Sequence, residues 1–214
     1  MRRVFLSLGV LILAAAWLGP LPAMAREAFF AHMILHMAVV AVAAPLLALA
    51  VGGGPFDPAR KAPQWFAPIQ ASIVELVIVW AWHTPALHHA ARHETAAFIA
   101  EQAMFFIAGL FLWLSAFGGN DFDTKNRSAA GVIGLLFTAM HMTLLGALLA
   151  LAPRPLYAHF NEGTARFAAL APLDDQHLGG AIMLLAGGIS YLAGGLWLTM
   201  RLLREPAFAP LRRS

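Results

Sequence analysis

Apolar residues run along this chain in stretches of about 20, each long enough for a helix across a bilayer core. Short segments between them hold most of the charge. Five stretches read as membrane spans, at about 28–51, 67–86, 95–117, 129–152 and 178–203. Ahead of them, residues 1–25 have the form of a secretory leader. Arg2 and Arg3 are followed by apolar residues from Val4 to Leu18, then by Ala23-Met24-Ala25, an A-x-A cleavage site. The expectation is a cleaved signal peptide, with a retained signal-anchor helix as the alternative. The fold class expected is all-α, a polytopic transmembrane helical bundle over residues 26–204 with a cytoplasmic tail at 205–214.

The charges between the stretches orient the bundle. Arg60 and Lys61 follow the first span, Lys125 and Arg127 the third, and Arg201, Arg204, Arg212 and Arg213 the fifth. The intervening connections carry only Arg26, Arg92, Arg154 and Arg166. Cytoplasmic loops hold the excess of Lys and Arg, so the N-terminus of residues 26–204 is expected outside and the C-terminus in the cytoplasm.

Composition excludes several classes. The chain is 60% hydrophobic and only 12% charged, with a mean hydropathy of +0.72. Soluble domains carry about 25% charged residues. A net charge of +3 could suggest nucleic acid, but the cations sit in short loops, so the lipid bilayer is the expected partner and nucleic acid is not. With no cysteine among 214 residues, disulfides and thiolate metal sites are ruled out. Nine histidines and nine methionines are what is left for soft or borderline metals.

Their placement is uneven. His32 and His36 are one helical turn apart and share a face, with Met33 and Met37 repeating that spacing beside them. His83, His88, His89 and His93 lie at the outer end of the second span or just beyond it. His159 and His177 precede or open the last, and His141 is mid-span. None falls in a cytoplasmic loop. Glu101 enters the third span at the depth of His32 and His36, and Asp174 and Asp175 precede the fifth. Polar groups in lipid face a bundle interior or a cavity. The candidate metal ligands are therefore His32, His36 and His141, with Met33 or Met37 as soft partners and with His83, Glu101 and Asp175 near them.

Thioether with imidazole and no thiolate suits copper, Cu(I) above all. Three other readings stay open on spacing alone. Haem could be held between His36 and His141. Protons could pass through Glu75, Glu101 and the histidines. The polar groups could also serve only to join helices. Gly180, Gly187 and Gly194, seven apart, with Gly179, Gly188 and Gly195 beside them, read as a helix-packing seam.

Beyond these patterns, particular residues resemble a family. They are His32-Met33-Ile34-Leu35-His36-Met37 before Ala44-Pro45-Leu46-Leu47, then Trp82-His83-Thr84-Pro85, and Glu101 with Gly109 to Trp113. His141 follows with Leu145-Gly146-Ala147-Leu148-Leu149, then Pro155-Leu156-Tyr157, and Asp175-Gln176-His177-Leu178-Gly179-Gly180 with Met183. In this order they resemble the membrane CtaG-type cytochrome c oxidase assembly factors, first named for the caa3 oxidase, over most of residues 28–203. The resemblance implies a multi-pass protein of the bacterial inner membrane, not an enzyme, that takes part in maturing a terminal oxidase and handles copper. It implies haem–copper oxidase subunits as partners, with periplasmic copper chaperones as copper donors. A b-type haem protein of electron transfer is the alternative function. Carried over by position, the polar signature is His32, His36, His83, Glu101, His141, Asp175 and Gln176. This chain has Gln102 where many relatives have His, and it is shorter than seven-helix members.

Overall fold

The structure, a computed structural model, describes residues 1–119, 124–157 and 170–204. His159 and the tail 205–214 lie outside the described residues. Among the described residues there is no strand, and the chain forms helices throughout. They are α1 (Arg2–Leu18), α2 (Leu21–Glu27), α3 (Phe29–Val51), α4 (Pro58–Lys61), α5 (Pro68–Trp82), α6 (Pro85–His93), α7 (Thr95–Phe117), α8 (Thr124–Ala150) and α9 (Pro172–Arg204). Proline, whose missing N–H costs nothing in a first turn, begins α4, α5, α6 and α9.

Four helices, α3, α7, α8 and α9, are long and apolar enough to cross a membrane. α1 and α2, bent 51° from one another, make a fifth if taken as one span. α5 is shorter, 15 residues, about 22 Å at 1.5 Å per residue. It stops at Trp82, short of the position 86 expected from hydropathy. The stop is made by Pro85, which holds Thr84 before it in an extended conformation (φ −67°, ψ 143°). The chain then turns into α6, a polar helix that lies across the end of the bundle. Large apolar side chains point outward along the long helices, among them Ile107, Leu136, Leu144, Leu185, Ile189 and Leu192. A surface of this kind belongs in lipid.

α3 is the central element. Its first part is α-helical to Met37, Ala38–Ala43 is π-helical, and Ala44–Val51 returns to α. The cause lies in Pro45. Without an N–H it cannot bond back to the carbonyls four and five residues earlier. Those carbonyls, Ala41 and Val40, are taken up by other helices: Ser190 Oγ donates to Ala41 O at 2.6 Å, and Trp113 Nε1 donates to Val40 O at 2.9 Å. Freed backbone groups at membrane depth are satisfied in this way or not tolerated.

α8 and α9 pack most extensively. A Cβ at Gly180 would meet Ala150 N at 2.4 Å, so only glycine permits that approach. A Cβ at Gly194 would meet the Trp113 ring at 2.6 Å, whereas Gly188 and Gly195 face open space. The seam read from the sequence is thus used on one side. α1 lies against the second half of α3, with Gly9 over Leu47, and Trp17 Nε1 donates to Gln102 Oε1 at 3.4 Å. At the end of the bundle away from α6, Arg2, Arg127 and Arg201 line a cavity of about 480 Å³.

Candidate metal centre

The site is built on the first two turns of α3. Ala28 is extended (φ −133°, ψ 133°), so the N–H groups of Phe29 and Phe30 have no partner within the helix. The Asp175 carboxylate of α9 accepts both, at 2.7 Å each. A negative charge at a helix N-terminus also suits the helix dipole. Asp175 thereby fixes where α3 begins and how His32 and His36 project. Their rings are 6.4 Å apart and nearly parallel, 9° between planes.

Three other elements bring side chains to these rings. His83 follows the last turn of α5. Its Nδ1 is 2.7 Å from the Val79 carbonyl and donates to it, which leaves Nε2 as the lone-pair nitrogen. The His83 carbonyl accepts from Tyr157 Oη at 2.7 Å. α6 turns His88, Ala91 and Arg92 inward, at i, i+3 and i+4, while His89 and His93 stay exposed. α7 contributes Glu101 from its second turn. All of these side chains are buried, and His32, His36 and Glu101 have no exposure at all.

Ring centroids lie 4.9 Å apart for His32–His88, 5.9 Å for His32–His83 and 5.4 Å for His36–His83. An imidazole nitrogen sits about 2.0–2.1 Å from a metal it binds and about 1.2 Å from its own centroid, so two ligands of one ion have centroids within about 6.5 Å. The four histidines meet that limit in each of these pairs. Ligand atoms of His32, His88 and Glu101 all lie within 4.8 Å of one another. His32 Nε2, His83 Nε2 and both nitrogens of His36 have no hydrogen-bond partner among the described residues. Buried polar atoms are seldom left so. A neutral imidazole has one lone-pair nitrogen: His83 offers Nε2, His36 offers either one, and the lone pair of His32 is on Nδ1, facing the donor Nη2 of Arg92. Outside the spans, burial first and the Arg92 charge second hold His88 well below the usual imidazole range, in the neutral form that ligation needs.

Arg92 completes the group. Its Nη2 lies 2.7 Å from His32 Nδ1 and donates to Glu101 Oε1 and Oε2 at 3.2 and 3.0 Å. Its Nη1 donates to the Ala25 carbonyl. Gln102 Nε2 also donates to Glu101 Oε2, at 3.3 Å.

Of the residues singled out from the sequence, His32, His36, His83 and Glu101 come together. Asp175 acts on the backbone of α3. Met33 and Met37 are buried on the next face of α3, and Met33 packs at Gly179 of α9. His141 is buried on α8 with its ring against Phe137 at 5.8 Å, and among the described residues it makes no ring contact with the other histidines. Glu75 is elsewhere in the bundle, accepting from Tyr191 Oη at 3.0 Å. Two residues escaped sequence reasoning as site members, His88 and Arg92. The signal was present: in Pro85–His93 they are four apart on one face of an amphipathic helix.

A family model described as cytochrome c oxidase caa3 assembly factor (Caa3_CtaG) matches residues 1–205. No curated protein and no solved structure matches this chain.

Proposed function

The chain belongs to the cytochrome c oxidase caa3 assembly factor family, and from that premise we propose that it carries copper as cargo, held at the outer end of the bundle and passed to a haem–copper oxidase. Membership of a family of assembly factors implies association with a cytochrome oxidase and suggests a non-catalytic role. The observation that supports copper is the group itself. Four imidazoles and one carboxylate converge, buried, in a membrane bundle, and the ring nitrogens of His36 and Nε2 of His83 have no hydrogen-bond partner among the described residues. Imidazole is a good ligand for copper, and the His83–Val79 bond presets one ring's tautomer for it. Met33 and Met37 stand one residue beyond the histidines as soft donors for a transfer step.

Copper is preferred to haem on packing. The rings sit 4.9–6.4 Å apart, with Phe105 4.0 Å from His36, spacing that suits an ion between side chains better than a macrocycle. His141, the second axial ligand haem would have used, stands against Phe137 on another helix.

The test is copper per protein, with oxidase activity, in cells expressing variants at matched abundance. His32→Ala with His36→Ala is expected to lower bound copper by at least ~10-fold, the smaller loss typical even of residues that only support ligands. His36→Met is expected to be milder, because a thioether still binds Cu(I). Full copper in the double variant would overturn the proposal. Lost copper with a normal oxidase would detach the site from oxidase assembly.

A further inference from the structure

We propose that Arg92 is a resident cation of the site, exchanged for the incoming metal ion, and that this exchange together with the single carboxylate restricts the site to monovalent ions. The inference rests on the metal-site reading above and adds what governs it.

The geometry makes two arrangements mutually exclusive. Nη2 of Arg92 lies 2.7 Å from His32 Nδ1 and 3.0–3.2 Å from both oxygens of Glu101. His32 and Glu101 are two of the three residues whose ligand atoms lie within 4.8 Å of one another, and because a guanidinium only donates, Nδ1 is where His32 carries its lone pair. An ion bound to them needs the same lone pairs and the same space, so the guanidinium must leave. Arg92 sits in the last turn of α6, a nine-residue polar helix at the end of the bundle. The residue is 7% exposed, so it is close to the surface.

Charge then decides which ion can take its place. Besides its neutral imidazoles, the group contains one negative charge, Glu101, and one positive charge, Arg92, which stays protonated in proteins. Replacing the guanidinium with a monovalent metal leaves the buried sum unchanged. Replacing it with a divalent metal leaves one positive charge without a partner in a medium of low dielectric, a costly state. Donor chemistry alone would not give that preference, because imidazoles with a carboxylate also suit Zn(II). A site that takes Ag(I) or Cu(I) and refuses Zn(II) therefore reports charge, not softness.

The experiment is equilibrium binding of Ag(I), a redox-inert stand-in for Cu(I), and of Zn(II) to the full chain in detergent. Wild-type protein and Arg92→Gln are compared, with thermal melts to match their folding. Wild-type protein is expected to prefer Ag(I) to Zn(II) by at least ~100-fold, and Arg92→Gln to bind Ag(I) ~10-fold more tightly, since no cation has to be expelled. Were Arg92 a support for the ligands, its loss would weaken binding, so the sign of the change separates the two roles. In wild-type protein, an arginine-specific reagent read by peptide mass should modify Arg92 only when Ag(I) is present. This holds even if the Gln variant fails to fold. Unchanged or weaker Ag(I) binding in the variant, Arg92 still protected at saturating Ag(I), or equal affinity for Zn(II) would each overturn the proposal. Failure of both proteins to bind any Ag(I) would overturn the metal-site reading as well.

Discussion

At the scale of single residues, the most telling assignment is Asp175. Its sequence position, just before an apolar run, placed it near the candidate metal ligands. In the fold it is the distant cap of α3, 146 residues from Phe29 in sequence, accepting two backbone N–H groups. Losing a capping oxygen costs about 0.5–2 kcal/mol, and here the cap also carries charge toward a helix N-terminus. Asp175→Ala should therefore lower the thermal midpoint in detergent and weaken metal binding together, because His32 is in the first turn of the helix it anchors. Asp175→Asn should recover part of both, since its amide oxygen can still accept. An unchanged melt for Asp175→Ala would show that the two bonds contribute nothing. Glu101 shows the complementary case: the residue type and depth were legible, while its guanidinium partner was not.

At the scale of elements, α1 carries the sharpest question. Its sequence has the form of a leader, yet residues 1–25 are worked into the bundle. Ala25 is fully buried and its carbonyl accepts from Arg92, while Trp17 reaches Gln102 and Gly9 packs on Leu47. Cleavage after Ala25 would strip the covering from the second half of α3 and remove one partner of the site's guanidinium. We therefore expect the chain recovered from membranes to keep residues 1–25, as read by intact mass, and a chain beginning at Arg26 would refute this. α3 itself shows how an element can be read correctly and still be incomplete. Pro45 removes a backbone donor by its chemistry alone, but the carbonyls freed at the π-helical turns of Ala38–Ala43 are satisfied by Trp113 and Ser190, which come from α7 and α9.

At the scale of the whole molecule, the polar chemistry is divided between two ends. The histidine group lies under α6, and the arginines Arg2, Arg127 and Arg201 surround the cavity at the other end. By the positive-inside rule the arginine end is expected in the cytoplasm and the histidine end outside. A reporter active only outside should therefore work when fused near His89 or Asn161 and fail near Lys61, Lys125 or the C-terminus. The reverse pattern would place the site on the cytoplasmic side and contradict delivery of copper from outside.

What the sequence determined on its own follows from forces that act along the chain. Hydropathy picked out the four long helices α3, α7, α8 and α9 with their approximate limits, because each must satisfy its backbone internally in lipid. The spacing of His32 and His36 set a shared face, because 3.6 residues make a turn. Loop charge set the expected orientation. What the tertiary structure decided concerns contacts between elements, which no local pattern encodes. His141, equal to His36 in residue type and in apolar surroundings, stands apart because α8 turns it toward its own Phe137. His88 and Arg92 share a face of α6 by their spacing, but they join the site because α6 packs that face against α3 and α7. Which histidines meet is set by how helices rotate about their own axes when they pack, and packing is a property of pairs of surfaces.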